Sequence, residues 1–150
     1  MTSVHGEECR RGSTPVLGRT GTGARRSADR RRVALGAYGE KLAVRYLQDK
    51  GLKILGRNWR CPDGEIDIIA QDGHDLVICE VKTRRSLAYG APAEAVTWKK
   101  VARLRKLAGW WLLAHPEESS GTRSLRIDVI GILIPQGGRP AIDHLIGVVS

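Results

Sequence analysis

Two short segments on either side of a tight turn constrain this chain more than any other feature. Gly64-Glu-Ile-Asp-Ile-Ile69 and Val77-Ile-Cys-Glu-Val-Lys-Thr83 are rich in β-branched residues and flank Gln71-Asp-Gly-His74, a strong hairpin signal. Side chains alternate across a strand, so Glu65 and Asp67 share one face while Ile66 and Ile68 share the other. In the second segment Glu80 and Lys82 share a face, with Cys79 and Val81 opposite. A turn at Asp72-Gly73 sets residue 65 against 80 and residue 67 against 78. Parity then gathers Glu65, Asp67, Glu80 and Lys82 on one face of adjacent strands.

Such a cluster needs a reason. Two carboxylates about 5 Å apart repel by roughly 3 kcal/mol at an effective dielectric near 20. Charged residues are also disfavoured in central strands between aliphatic ones. A divalent cation removes the conflict, and hard Mg²⁺ takes carboxylate oxygens while leaving room for water and a phosphate oxygen. Lys82 would then hold an attacking water and neutralise charge on the phosphate. An exposed hairpin face with Glu–Lys cross-strand pairs explains the same residues without a metal. On the two strands alone the readings stand level.

The remaining elements follow from periodicity. Leu35, Gly39, Leu42, Ala43, Tyr46 and Leu47 recur at three- and four-residue steps, which predicts a helix over Arg32–Lys50 with Gly51 just past its end. Leu52–Trp59 reads as a strand, and Cys61-Pro-Asp-Gly64 as a turn. After a polar loop over Arg84–Ala91, Pro92 opens a helical region that runs to about His115, with Val101, Leu104, Ala108 and either Trp111 or Leu112 as its stripe. Leu125–Ile134 is a strand and Ala141–Val149 a last strand or short helix. The order is α-β-β-β-α-β plus a terminal β element. A chain of 150 residues is long enough for one domain with a real core, here of the α/β class.

Charge divides the chain. Residues 1–32 hold eight arginines against Glu7, Glu8 and Asp29, a net of +5 within a total of +9. With almost no aliphatic residues, they are expected to form a disordered basic N-terminal arm, leaving 33–150 as the folded domain. The positive balance favours a polyanionic partner, nucleic acid above all. Cys9, Cys61 and Cys79 form no metal or disulfide pattern, and Cys79 is expected to be a buried thiol in a reducing compartment. No apolar run approaches the roughly 20 residues of a membrane helix, so no membrane partner is expected and the location is cytoplasmic.

Asp67 followed by Glu80-Val-Lys82 resembles the D…ExK signature of the PD-(D/E)XK nuclease superfamily. Four ordered segments more closely resemble the YraN-type family of predicted endonucleases, itself similar to archaeal Holliday junction resolvases. They are Gly36-x-x-Gly39-Glu40-x-x-Ala43-x-x-Tyr46-Leu47, Asn58-Trp59-Arg60, Gly64-Glu-Ile-Asp67 and Glu80-Val-Lys82-Thr-Arg84. Ala95-Val96-x-x-x-Lys100 and Arg126-x-Asp128-Val129 also fit. The likeness implies a restriction-endonuclease-like fold, a central mixed β-sheet flanked by helices. It implies Asp67 and Glu80 as ligands of Mg²⁺ (with Mn²⁺ able to substitute), the Val81 carbonyl beside them, Lys82 as the catalytic lysine, and Glu40 reaching the metal from the first helix. Glu65 stands next to this set, either supporting it or paired with Lys82.

The implied activity is DNA endonuclease cleavage of phosphodiester bonds, on branched, recombination or repair intermediates. A cutter of four-way junctions needs two active sites and hence a symmetric homodimer. A non-catalytic nucleic-acid-binding or partner-binding module on the same fold is the alternative. Arg84 and Arg85 follow the ExK strand, and Lys99 and Lys100 open the long helix; all four are candidate nucleic-acid contacts. Arg126 and Asp128 share a strand face and are expected to pair in a structural role. Trp98, Trp110 and Trp111 are expected in the core or an interface, and the histidines carry no assigned role.

Overall fold

The computed structural model describes residues 23–86, 88 and 96–148. Helix α1 (Gly23–Asp49) begins the described chain, and Gly39, Ala43 and Leu47 are its buried stripe. Its end has a stereochemical cause: Gly51 adopts φ 91°, and the Leu52 amide turns back to the Leu47 carbonyl at 3.0 Å. Periodicity places the helix start at Arg32, yet residues 23–32, expected to belong to the disordered arm, are its first turns. Ala and Arg are strong helix formers, so these turns continue the helix although they are almost wholly exposed. The remainder of the expected arm, residues 1–22, lies outside the described residues.

Strands β1 (Lys53–Cys61), β2 (Gly64–Asp72) and β3 (Asp75–Arg84) form an antiparallel meander. Helix α2 (Trp98–Ala114) then crosses to β4 (Ser124–Leu133), which pairs parallel to β3, and β5 (Ala141–Leu145) returns antiparallel. A parallel pair needs such a crossover, because no tight turn can join strands running the same way. The result is a five-stranded mixed sheet in the order β1-β2-β3-β4-β5. It matches the expected architecture, with one short addition, α3 (Pro116–Ser120). The element after Arg139 resolves as a strand. Thr97 caps α2, its hydroxyl accepting from the Lys100 amide at 3.2 Å; Pro92, the expected helix opener, lies outside the described residues. No helix among the described residues is long and apolar enough to cross a membrane.

Each sheet face buries its own core. Leu104, Leu107 and Trp111 of α2 pack on Trp59, Ile66, Ile69 and Ile78. Ala43 and Leu47 of α1 pack on Ile68, Ala70, Val77, Cys79, Ile130 and Ile132 across the sheet. Cys79 is fully buried, as expected, and burial pushes its thiol pKa up.

Two details of the strands depart from the sequence reading, and both bear on the site. The hairpin turns at Gly73-His74, so Asp72 pairs with Asp75 and Ile68 with Cys79. Gly73, at φ 60°, accepts the left-handed geometry the turn demands. The register is thereby two residues away from the expected one, which keeps the parity of the faces. The second departure breaks strict alternation. Ile66 belongs to the α2-side core and Ile68 to the α1-side core, where a regular strand would put both together. Between them lies Asp67. The β1–β2 pairing skips the Asn58–Asp67 level, and Asn58 has φ 49°. The strand therefore reorients at the aspartate.

Candidate active site

The ladder between β2 and β3 ends at Ile68↔Cys79, and the next residues are Asp67 on one strand and Glu80 on the other. Here a side chain takes over from the backbone: the Val81 amide donates to Asp67 Oδ2 at 2.9 Å. Asp67 and Glu80 thus face one cavity of about 480 Å³ at this end of the strands. Val81, Lys82 and Thr83 of β3 line it, and α1 closes one side with Arg32, Leu35, Gly36 and Glu40. The helix reaches so close because residue 39 is glycine. A Cβ there would overlap the Thr83 side chain.

Glu65, expected on the same face, is not among the residues that line this cavity, whereas Asp67, Glu80 and Glu40 are. Their mutual repulsion shows in Asp67, whose carboxyl is pushed up to about 7. Burial is the largest cause, followed by the Glu80 charge; the Val81 hydrogen bond opposes both, while Glu40 and Glu65 add to the rise. Glu80 is nearly buried and takes a different solution. Lys100 Nζ lies 2.6 Å from its Oε1, and Lys82 Nζ lies 3.3 Å from the same oxygen. Lys82 is thus on the site side of the sheet, as parity requires. Burial tends to lower the Lys100 pKa, but its hydrogen bonds and the Glu80 and Asp67 charges hold it above its ordinary value.

The other candidate residues divide. Lys100 is built into the site by Glu80. Lys99 is exposed, with its ammonium 5.7 Å from the centre of the Trp98 ring. Trp98 is 66% exposed, contrary to the expectation of a core or interface tryptophan: it occupies the first turn of α2, before the buried stripe begins at Val101. Trp111 is buried as expected. Glu65 pairs with Arg60 across the β1–β2 ladder at 3.1 Å and not with Lys82, because those two residues are direct strand partners. Arg84 ends β3 half-buried, and Arg85 just beyond is exposed.

The donor set suits a hard cation in a restricted sense. Among the described residues no three carboxylate, histidine or cysteine side chains stand close enough to enclose a metal. Asp67 and Glu80 are nevertheless adjacent and oxygen-bearing, and at Asp67 burial and the Glu80 charge outweigh the Val81 hydrogen bond. Mg²⁺ is commonly held by one or two carboxylates, with water and phosphate oxygens completing its shell.

Sequence reasoning missed the buried polar network behind the site. Arg126 Nε and Nη2 reach the two oxygens of the fully buried Asp128 at 3.0 and 3.1 Å, which is the expected ion pair. Arg126 also reaches Asp72 at 3.0 Å. His144 of β5, given no role from sequence, lies 2.8 Å from Asp128 Oδ2 and 3.3 Å from the Tyr46 hydroxyl of α1. The Gly147 amide also donates to Asp128. This network ties α1, β4 and β5 together, and only the fold brings Tyr46 and His144 into contact. Arg32 was missed too, although its four-residue steps to Gly36 and Glu40 were readable.

The profile described as "Uncharacterised protein family UPF0102" matches residues 39–132. A UPF0102 protein of Beutenbergia cavernae is 53% identical over 115 residues, covering 77% of this chain and 95% of the relative. One from Nocardioides is also 53% identical over 115 residues, with 77% and 90% covered. One from Kineococcus radiotolerans is 50% identical over 115 residues, with 77% and 93% covered.

Proposed function

We propose that this chain, which belongs to the UPF0102 family, is a metal-dependent endonuclease that hydrolyses DNA phosphodiester bonds at Asp67, Glu80 and Lys82. The observation that supports this most is the convergence of Asp67, Glu80, Glu40 and Lys82 on one cavity where the β2–β3 ladder ends. Carboxylates are assembled there at a cost visible in Asp67, and a lysine stands among them. The D…ExK order of these residues adds the likeness to PD-(D/E)XK nucleases.

Asp67 and Glu80 would hold the metal, with the Val81 carbonyl and Glu40 beside them. Bound there, a Mg²⁺ or Mn²⁺ ion would lower the pKa of water and polarise the phosphate. The chain's own groups do the rest. Lys82 donates hydrogen bonds to the attacking water and offsets the negative charge that builds on the phosphate oxygens. The water oxygen bonds to phosphorus as the bond to the leaving sugar oxygen breaks; the attacking water gives up a proton to solvent and the leaving oxygen takes one from solvent to depart as a hydroxyl. The Val81 amide keeps Asp67 aimed at the cavity. Lys100 balances Glu80 from α2, so the site carries less uncompensated negative charge toward an approaching phosphate.

One observation favours a second reading, a nucleic-acid-binding module without catalysis: Glu80 already has two ammonium partners. Incubating the protein with labelled linear, nicked, flap and four-way DNAs in Mg²⁺ or Mn²⁺ separates the two. Cutting supports the nuclease; binding without cutting in either metal supports the module.

A further inference from the structure

Helix α1 brings to the cavity two residues, Arg32 and Gly36, that the hydrolytic chemistry does not use. Arg32, Gly36 and Glu40 follow at four-residue steps, so they lie along one line of the helix, and all three line the cavity that holds Asp67 and Glu80. Gly36 sits inside a helix, where glycine is disfavoured. Packing does not ask for it: beyond its chain neighbours and the helix's own backbone, a Cβ at Gly36 would meet nothing within 4 Å. Gly39 is the contrasting case, since there a Cβ would overlap Thr83. That close approach presses α1 onto β3 and fixes the line of Gly36 and Arg32 at the cavity. A glycine that weakens its helix, relieves no clash and borders open space leaves room for a molecule from outside to approach the helix backbone.

Charge indicates what kind of molecule. Before Glu40, the described part of α1 carries Arg25, Arg26, Arg30, Arg31 and Arg32 against Asp29 alone, all of them exposed. Arg25 is seven residues ahead of Arg32, two turns away on the same side. A cation-lined track that ends at a carboxylate-and-lysine site suits a chain of regularly spaced phosphates.

We propose that this face of α1 is a strand-binding subsite: the nucleic-acid backbone crosses the helix at Gly36, and the Arg32 guanidinium takes the phosphate next to the one at Asp67 and Glu80. Arg25 continues the track outward. The proposal deepens the nuclease reading and rests on its choice of ligand, but not on cleavage.

The test measures binding of labelled single-stranded and duplex DNA by the full chain in Ca²⁺, as fluorescence anisotropy across a salt series. Arg32→Ala is expected to weaken binding roughly tenfold, the scale of one charged hydrogen bond. It should also lower the slope of log affinity against log salt by about one. Gly36→Leu is expected to weaken binding as much while its thermal midpoint stays at or above that of the parent, because leucine favours helix. A structural role for Gly36 would lower the midpoint instead. Arg45→Ala removes one arginine from an exposed α1 position outside the cavity and sets the background. If Arg32→Ala and Gly36→Leu fall no further than Arg45→Ala, or the parent binds no DNA, the subsite is overturned. A parent that cuts DNA while both variants bind and cut normally overturns the subsite alone. A parent that binds with this pattern but cuts nothing overturns only the nuclease reading.

Discussion

The Val81 amide donates a 2.9 Å hydrogen bond to Asp67 Oδ2 across fourteen residues of chain, at the point where β2 and β3 stop pairing. One side chain thus does two jobs: it ends the ladder and it fixes the aspartate beside Glu80. The two jobs can be separated by substitution.

Asp67→Asn keeps an oxygen that can accept from Val81, whereas Asp67→Ala leaves that half-buried amide without its partner. Asp67→Ala is expected to be less stable than Asp67→Asn by about 1–3 kcal/mol. Both are expected to lose cleavage. Urea unfolding of the two variants compares them directly, and equal midpoints would show that the bond has no structural weight.

The raised pKa of Asp67 makes a signed pH dependence. Its folded value, about 7, exceeds the ordinary 3.8, so between these limits the folded state holds more proton than the unfolded chain. The group's contribution is therefore fully present below its ordinary value and lost as pH rises toward about 7. In EDTA, the parent should lose more thermal stability than Asp67→Asn between about pH 4 and about pH 7. Proton and metal compete for the same oxygens, so added Mg²⁺ should stabilise the parent more at the higher pH. Parallel pH profiles for parent and variant would rule out the shift.

Gly39 sets how closely α1 approaches β3. Gly39→Ala forces its methyl against the Thr83 side chain, so overpacking should cost about 1–3 kcal/mol. Removing the obstructing atoms in a Gly39→Ala/Thr83→Ala double variant should recover part of that loss. A double-mutant cycle with no coupling between the positions would contradict the contact.

How far the sequence reached depended on the range of the interaction. Strand alternation, the Cys61–Gly64 and Gln71–His74 turns and the aliphatic stripes are local signals, and they led to the five-stranded sheet between helices. Asp67, Glu80 and Lys82 came together because a two-residue error in the hairpin preserves parity. That same parity argument failed for Ile66 and Ile68, because the strand reorients at Asp67, opposite Asn58. Arg60 was close to legible as the partner of Glu65, since the turn between them is short. His144 was not: its contacts with Asp128 and Tyr46 join three separate elements, and no local pattern encodes them.

Asp128 is the anchor of that hidden network. Asp128→Ala removes the carboxylate shared by Arg126, His144 and the Gly147 amide, and should destabilise the protein by about 3 kcal/mol or more. His144→Ala should cost less, since Arg126 keeps its pairing. Chemical denaturation ranks the two, and a reversed order would place the weight of the network on the histidine.

The proposed chemistry needs acidic groups and a lysine to cooperate on a phosphodiester. Its most direct measurement is the initial rate of cutting on the flap and four-way DNAs in Mg²⁺, for the parent, Glu80→Gln and Lys82→Ala. The expected result is Mg²⁺-dependent cutting by the parent and a loss of roughly a hundredfold or more in each variant, with DNA binding retained. Equal rates in all three, or no cutting by the parent on any DNA in Mg²⁺ or Mn²⁺, would contradict it.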